Sequence, residues 1–310
     1  MKVFLVGIYA LGARALAELL QRRVDVVGVL TKPDHGEGQR DLFDTVARAG
    51  LPLMEPEAPD EPGLARRIRA LRPDVVAVAG YHKRIPSRIL GLAPLGAINT
   101  HLSLLPQYRG PCPWKWAIVR GESTTGVTIH VMTSKLDRGP ILARKSCPLD
   151  DQETGESLFH RLARMGAESL GDTLRTLESG GATMSEQEEA GASYYGAPTD
   201  EDAQIHWERP AEEIRNLVRG LHPRPGAWTV FDGRRYRVGR VSIVDTPFSP
   251  ARPGTLLDAP QGLPIVATGR GVLRIEERTA GEEQTNLHHF PQSPGSDAAK
   301  SAEAPAPGRV

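Results

Sequence analysis

Asn99 and His101 stand two residues apart in the stretch NTHLSLLPQYRG, which covers 99–110. If the preceding GAINTH is a β-strand, alternate side chains share a face, so the carboxamide and the imidazole point one way and Thr100 the other. Such a pair has chemical uses. An amide N–H aimed at a carbonyl oxygen stabilises the negative charge that builds there during acyl transfer. An imidazole titrates near neutral pH and can take or give a proton. The bland alternative is that both side chains only satisfy backbone groups of the following loop. Ser103 lies two residues beyond His101, but the G-x-S-x-G elbow that exposes a hydrolase serine is absent, so a serine nucleophile is not expected.

This chemistry needs a strand that ends in a loop, and the chain contains a series of them. KVFLVG (2–7) is an apolar β-branched run, and ALGARALAELLQRR carries Leu11, Leu16, Leu19 and Leu20 at helical spacing. VDVVGVLT (24–31) follows as a second strand, giving β-α-β, the opening of a parallel sheet with crossover helices. The alternation continues through a helix stopped by Gly50, a short strand LPLMEP, a helix EPGLARRIRAL and a strand PDVVAVAG. IPSRIL starts a short helix, and GAINTHL is the next strand. The expected fold is α/β and Rossmann-like, with a mostly parallel sheet and flanking helices, and ligands in such sheets bind beyond the C-terminal strand ends. That edge is where Asn99 and His101 fall. Gly7 and Gly12 lack the middle glycine of a dinucleotide fingerprint and are read as a tight strand-to-helix turn.

Beyond Gly110, PCPWKWAIVRG reads as a helix with Pro113 in its first turn and Gly121 as its stop. TGVTIHVM and the run after Gly139 read as strands. A long amphipathic helix then closes a first domain over 1–181. Residues 182–203 are polar and linker-like. A second unit over 204–280 begins with a helix started by Pro210, then continues in short strands that suggest a small β-barrel or sandwich. The tail 281–310 is rich in Gly, Ser, Pro, Ala and Gln, so disorder is expected there, with His288 and His289 solvated.

Composition narrows the classes. A chain of 310 residues exceeds what one core usually holds. A formal net charge of +0 argues against binding driven mainly by phosphate neutralisation. The two cysteines, Cys112 and Cys147, offer no metal-ligand spacing and no disulfide framework. The apolar start MKVFLVGIYA is too short for a signal sequence with its cleavage site, and no run reaches transmembrane length. A cytoplasmic protein with no membrane partner is the simplest expectation.

NTHLSLLPQYRG, TGVTIHVM and LDRGPIL occur in that order, and through them the chain resembles the formyltransferase family that uses 10-formyltetrahydrofolate. The family pattern is Asn-x-His, then Ser-Leu-Leu-Pro with Arg-Gly, then Thr-Gly-Val-Thr, then Asp-x-Gly. The resemblance runs through roughly 1–280, and IHWERPAEEIRNLVRGLHPRPGAW is similar to the lead-in to the OB-like C-terminal subdomain of the methionyl-tRNA and sugar formyltransferases. It implies an OB-like subdomain, 10-formyltetrahydrofolate as formyl donor and no metal. It also implies a catalytic trio of Asn99, His101 and Asp137, the last lying 36 positions beyond His101. In that trio Asn99 stabilises the oxyanion, His101 accepts the proton of the attacking amine, and Asp137 orients the imidazole. Tyr81, Lys83, Arg84 and Ile85 on one loop, with Thr133, Ser134, Lys135 and Leu136 on another, would line the folate slot. Ile85 and Leu136 would press on the pterin faces.

The formyl acceptor is less legible. A primary amine on a small molecule, an amino sugar or amino acid derivative, is the expected partner. Methionyl-tRNA, hydrolysis by water, and a non-catalytic folate-binding domain are the alternatives, and a homodimer is possible. TKPDHGEGQRDLF is short and nearly neutral where methionyl-tRNA formyltransferases usually carry a lysine-rich loop. The second unit holds 12 Arg against 8 acidic residues, mildly basic for an RNA platform. RRYRVGR (234–240) is the best candidate RNA contact, yet it is expected to be an edge strand whose arginines discourage aggregation. Trp114, in RGPCPWKW, is expected to pack in the core, with stacking on a substrate ring as the alternative.

Overall fold

The structure is a computed structural model that describes residues 1–33, 37–245, 251–257 and 263–280. The tail expected over 281–310, with His288 and His289, lies outside the described residues.

The first unit runs β1 (Lys2–Gly7), α1 (Tyr9–Gln21), β2 (Asp25–Leu30), α2 (Glu37–Ala49), β3 (Leu53–Met54), α3 (Leu64–Ala70), β4 (Val75–Ala79), α4 (Ser87–Leu90) and β5 (Ala97–His101). It continues through α5 (Pro113–Val119), β6 (Thr124–Val131), β7 (Ile141–Pro148) and α6 (Gly155–Glu178). The sheet order is β3-β2-β1-β4-β5-β6-β7. Strands β1 to β5 pair in parallel, and β6 and β7 close the sheet antiparallel.

Strand periodicity divides the core. Val3 and Leu5 of β1 pack on the face covered by α1 and α6, while Phe4 and Val6 pack on the face of α3 and α4. In β4, Val75, Ala77 and Ala79 take the first face and Val76 and Val78 the second. Each large apolar side chain so buried contributes roughly 1.5–3 kcal/mol. In β5, Ile98 joins the first core and Ala97 the second, so Asn99 and His101 share the second face by period two. Gly7 and Gly12 let β1 and α1 meet: a Cβ on Gly12 would stand 2.8 Å from the Gly7 carbonyl carbon. Thr154 caps α6 by accepting from the Ser157 N–H, and Ser157 caps Thr154 in return.

The second unit holds α7 (Ala211–Leu221), β8 (Trp228–Phe231), β9 (Arg234–Ile243), β10 (Leu256–Leu257), β11 (Ile265–Ala267) and β12 (Val272–Ala280). Its five strands form an antiparallel sheet in the order β10-β11-β12-β9-β8. The edge-strand expectation for 234–240 is therefore wrong. β9 lies between β8 and β12, because Trp228–Phe231 forms a strand that pairs with it. Helix α7 docks on α5 through Gly220, where a Cβ would stand 2.8 Å from Val119. Lys115 Nζ donates to the Arg224 carbonyl (2.6 Å) across the same junction.

Among the described residues no helix is long and apolar enough to cross a membrane, and no group of three His, Cys, Asp or Glu could hold a metal ion.

Candidate active site

The antiparallel register of β5 and β6 sets Asn99 directly opposite His130. Asn99 Nδ2 lies 3.2 Å from His130 Nε2, and His130 Nδ1 lies 2.9 Å from the Val131 carbonyl oxygen. A carbonyl only accepts, so Nδ1 carries the proton and donates to it. Nε2 is then the acceptor, and Asn99 must turn its N–H₂ toward it. Burial, followed by the neighbouring His101, pushes the His130 pKa down to about 4, so the ring is neutral near pH 7. One backbone carbonyl thus fixes a tautomer, and the tautomer fixes the carboxamide.

His101 is held in a similar way. Its Nε2 lies 2.9 Å from the Tyr108 carbonyl oxygen and donates to it, which leaves Nδ1 with the lone pair. The hydrogen bond on this imidazole is to Tyr108, while Asp137, to which the resemblance gives the orienting role, stands within ion-pair reach of the other ring nitrogen. Asp137 Oδ1 stands 3.8 Å from His101 Nδ1 and 3.7 Å from His130 Nε2. Asp137 Oδ2 accepts the Gly110 N–H at 2.9 Å. All three side chains are nearly sealed from solvent, at 6% for His101, 2% for His130 and 9% for Asp137, so charge here is weakly screened. Asp137 sits at φ +52°, in the left-handed region that a residue with a Cβ occupies at a cost. Ser103 is buried and donates its hydroxyl to the Gln107 carbonyl (2.7 Å), a structural role.

Two cavities meet at this cluster. One, of about 430 Å³, is lined by all eight residues expected around folate: Tyr81, Lys83, Arg84, Ile85, Thr133, Ser134, Lys135 and Leu136. Asn99, His130 and Asp137 are also part of its lining. The Tyr81 hydroxyl is buried and has no hydrogen-bond partner among the described residues, a polar atom suited to a ligand group, and burial raises its pKa to about 12. Lys83 is committed elsewhere, its Nζ donating to the Glu57 carbonyl at 2.7 Å. The second cavity, of about 340 Å³, shares Asn99 and Asp137 with the first. It adds His101, Leu102, Cys112, Trp114, Phe159 and Tyr194. Trp114 packs on Phe159 with ring centroids 4.8 Å apart, so it serves the core and the cavity wall at once.

Residues 182–203, read as a linker, strap the site loops together. Ile141 and Ser185 exchange backbone hydrogen bonds (2.7 and 3.0 Å). Arg109 donates its N–H to the Ser193 carbonyl (2.9 Å) and accepts from the Tyr195 N–H (3.0 Å). The Arg109 guanidinium, 3% exposed, bonds Gln187 and Glu189. Gln187 also donates to the carbonyls of Asp137 and Gly139. Sequence reasoning missed His130, Gln187 and a role for Arg109. The polar pair Thr128 and His130, two apart on a strand, was the one available signal for the histidine.

Residues 3–174 match the family described as formyl transferase, and 198–293 match its C-terminal domain. Methionyl-tRNA formyltransferase of Geotalea daltonii is 35% identical over 297 residues, 94% of either chain. That of Roseiflexus castenholzii is 40% identical over 260 residues, 82% of this chain and 83% of the relative. Among solved structures, an N-formyltransferase from Helicobacter canadensis in complex with folinic acid and dTDP-3-aminofucose superposes with a TM-score of 0.71. It shares 14% identity and covers 89% of this chain and 98% of its own, a likeness of fold. The relatives correct one expectation: a small-molecule amine is not supported as the acceptor. The loop TKPDHGEGQRDLF is short and nearly neutral and the charge balance of the second unit is mild. Neither quantity reports how arginines are distributed over a folded surface.

Proposed function

Because the chain belongs to the formyl transferase family, we propose that it moves the formyl group of 10-formyltetrahydrofolate onto the amine of methionine carried by a tRNA. The observation that carries this reading is the meeting of two cavities at Asn99 and Asp137, one suited to a donor and one to an acceptor. The tRNA acceptor is supported by relatives of that name that align along both units.

The folate, when bound, supplies the formyl carbon and its nitrogen leaving group. The larger cavity would hold it, with Ile85 and Leu136 to press on the pterin, the Tyr81 hydroxyl to meet a polar group, and Arg84, Thr133, Ser134 and Lys135 also in the lining. Asn99 spends one N–H on His130 and keeps the other for the formyl oxygen, where charge builds as the amine attacks. His101, with its lone pair held on Nδ1 by Tyr108, would take the proton that the amine must lose and return it to the folate nitrogen as the bond between that nitrogen and the formyl carbon breaks. Asp137 Oδ1 stands 3.8 Å from His101 Nδ1, where a carboxylate faces the ring that carries the proton. The smaller cavity, walled by Leu11, Leu102, Trp114 and Phe159, suits the flexible thioether side chain of methionine. In this reading the catalytic unit is 1–181, 182–203 straps it, and 204–280 carries part of the RNA contact.

The test supplies the full chain with 10-formyltetrahydrofolate and, in separate arms, methionyl-tRNA, uncharged tRNA, amino-sugar nucleotides or no acceptor. Formylmethionyl-tRNA should form, and folate consumption should be negligible in the other arms. Turnover with amino sugars or water, and none with methionyl-tRNA, would overturn the proposal.

A further inference from the structure

We propose that Gln187, which lines neither cavity, is a positioning residue that sets the Asp137 carboxylate for formyl transfer by gripping its main chain. The proposal rests on the role given to Asp137 above.

The Gln187 carboxamide uses both of its ends. Its Nε2 donates to the carbonyl oxygens of Asp137 and Gly139, both at 2.8 Å. Its Oε1 accepts from Arg109 Nε (3.2 Å) and Nη2 (2.9 Å). A guanidinium only donates and a carbonyl only accepts, so the amide has one orientation that satisfies all four contacts. Arg109 is in turn fixed by backbone bonds to Ser193 and Tyr195 and by Glu189.

The grip falls where the chain needs it. Asp137 is a non-glycine residue at φ +52°, a conformation that persists when its surroundings over-determine it. Gly139, the other end of the gripped turn, has no room for a side chain, since a Cβ would meet the Val131 carbonyl oxygen at 1.8 Å. The carboxylate is aimed by the Gly110 N–H, and Gly110 follows Arg109, which the same strap holds. Main chain and side chain of Asp137 are therefore both referenced to one segment. Displacement of such a group by about 1 Å can cost on the order of 100-fold in rate.

Two substitutions separate positioning from simple adhesion of the strap. Gln187→Ala removes both halves of the contact. Gln187→Glu keeps the length and the pairing with Arg109, but it cannot donate to the two carbonyls. Asp137→Asn serves as reference, and all are assayed with 10-formyltetrahydrofolate and methionyl-tRNA alongside thermal unfolding. Both Gln187 variants should lose about 10- to 100-fold in kcat, with KM for each substrate within about twofold of the parent. Gln187→Glu at parental kcat would show that only the Arg109 contact matters and overturn the proposal. So would a loss that tracks a lowered unfolding midpoint and a raised KM. Parental turnover in Asp137→Asn would instead remove the role of Asp137, and the proposal with it.

Discussion

The two walls that meet at Asp137 are built differently. One is the end of β5 and β6, where a strand register places Asn99 against His130 and the backbone carbonyls of Val131 and Tyr108 set both imidazole tautomers. The other is 182–196, a segment with no helix and no strand of its own, which reaches Asp137 through Gln187 and the Arg109–Gly110 turn. The first wall supplies the reacting groups. The second supplies none, yet it fixes where one of them stands. Chemistry and placement are thus divided between regular and irregular structure.

The sharpest way to break this contrast is on the sheet side. His101→Ala should lower formyl transfer by about 10³- to 10⁴-fold while folate binding survives, because the proton acceptor is lost and the donor cavity is untouched. Steady-state rates with a parallel folate titration check it. A matching loss in folate affinity would move His101 into the binding wall.

On the other wall, Gly110→Ala tests the strap without removing a reacting group. Gly110 sits at φ +100°, and a Cβ there would stand 2.2 Å from the Tyr195 carbonyl oxygen. The strap must lift, with a destabilisation of about 2–3 kcal/mol and a rate loss near 100-fold. Denaturant unfolding and kcat read the two effects. Parental stability would mean that the strap does not hold the turn.

These two sides also differ in what the sequence reveals. Asn99 and His101 are legible because period two on a strand is a local rule, and Asp137 was reached through the resemblance of LDRGPIL to its family. His130 stands within TGVTIHVM, but its meaning lies in a cross-strand register that no local spacing encodes. Gln187 sits in a polar stretch without periodicity, so nothing nearby points to Asp137, fifty residues earlier. The misread edge strand at 234–240 has the same origin: strand order in the small sheet is a long-range property.

A gentler probe uses pH. His130 is held neutral with its pKa near 4, below the ordinary value of 6.5, so the unfolded chain binds more protons between those values. Stability should fall as pH drops from 6.5 toward 4, by about 2 kcal/mol at pH 5 from this group. In His130→Gln, which can still accept from Asn99, that part of the slope should vanish. Urea midpoints at pH 7.5 and pH 5 decide it, and an unchanged slope would mean that His130 is not the titrating group.

The smallest effect is expected at Glu189. It is 62% exposed where it meets Arg109, and exposed ion pairs contribute little. Glu189→Ala should leave kcat within about twofold of the parent, since Gln187 still holds Arg109. A large loss would shift the anchoring of the strap from the buried amide to the surface charge.

The most direct test is a structure with a stable formyl-folate analogue bound. The formyl oxygen should lie within about 3 Å of Asn99 Nδ2, with the pterin between Ile85 and Leu136 and the formyl carbon facing the cavity that holds His101. An analogue lodged with its formyl group turned away from Asn99, or seated in the smaller cavity, would contradict the account.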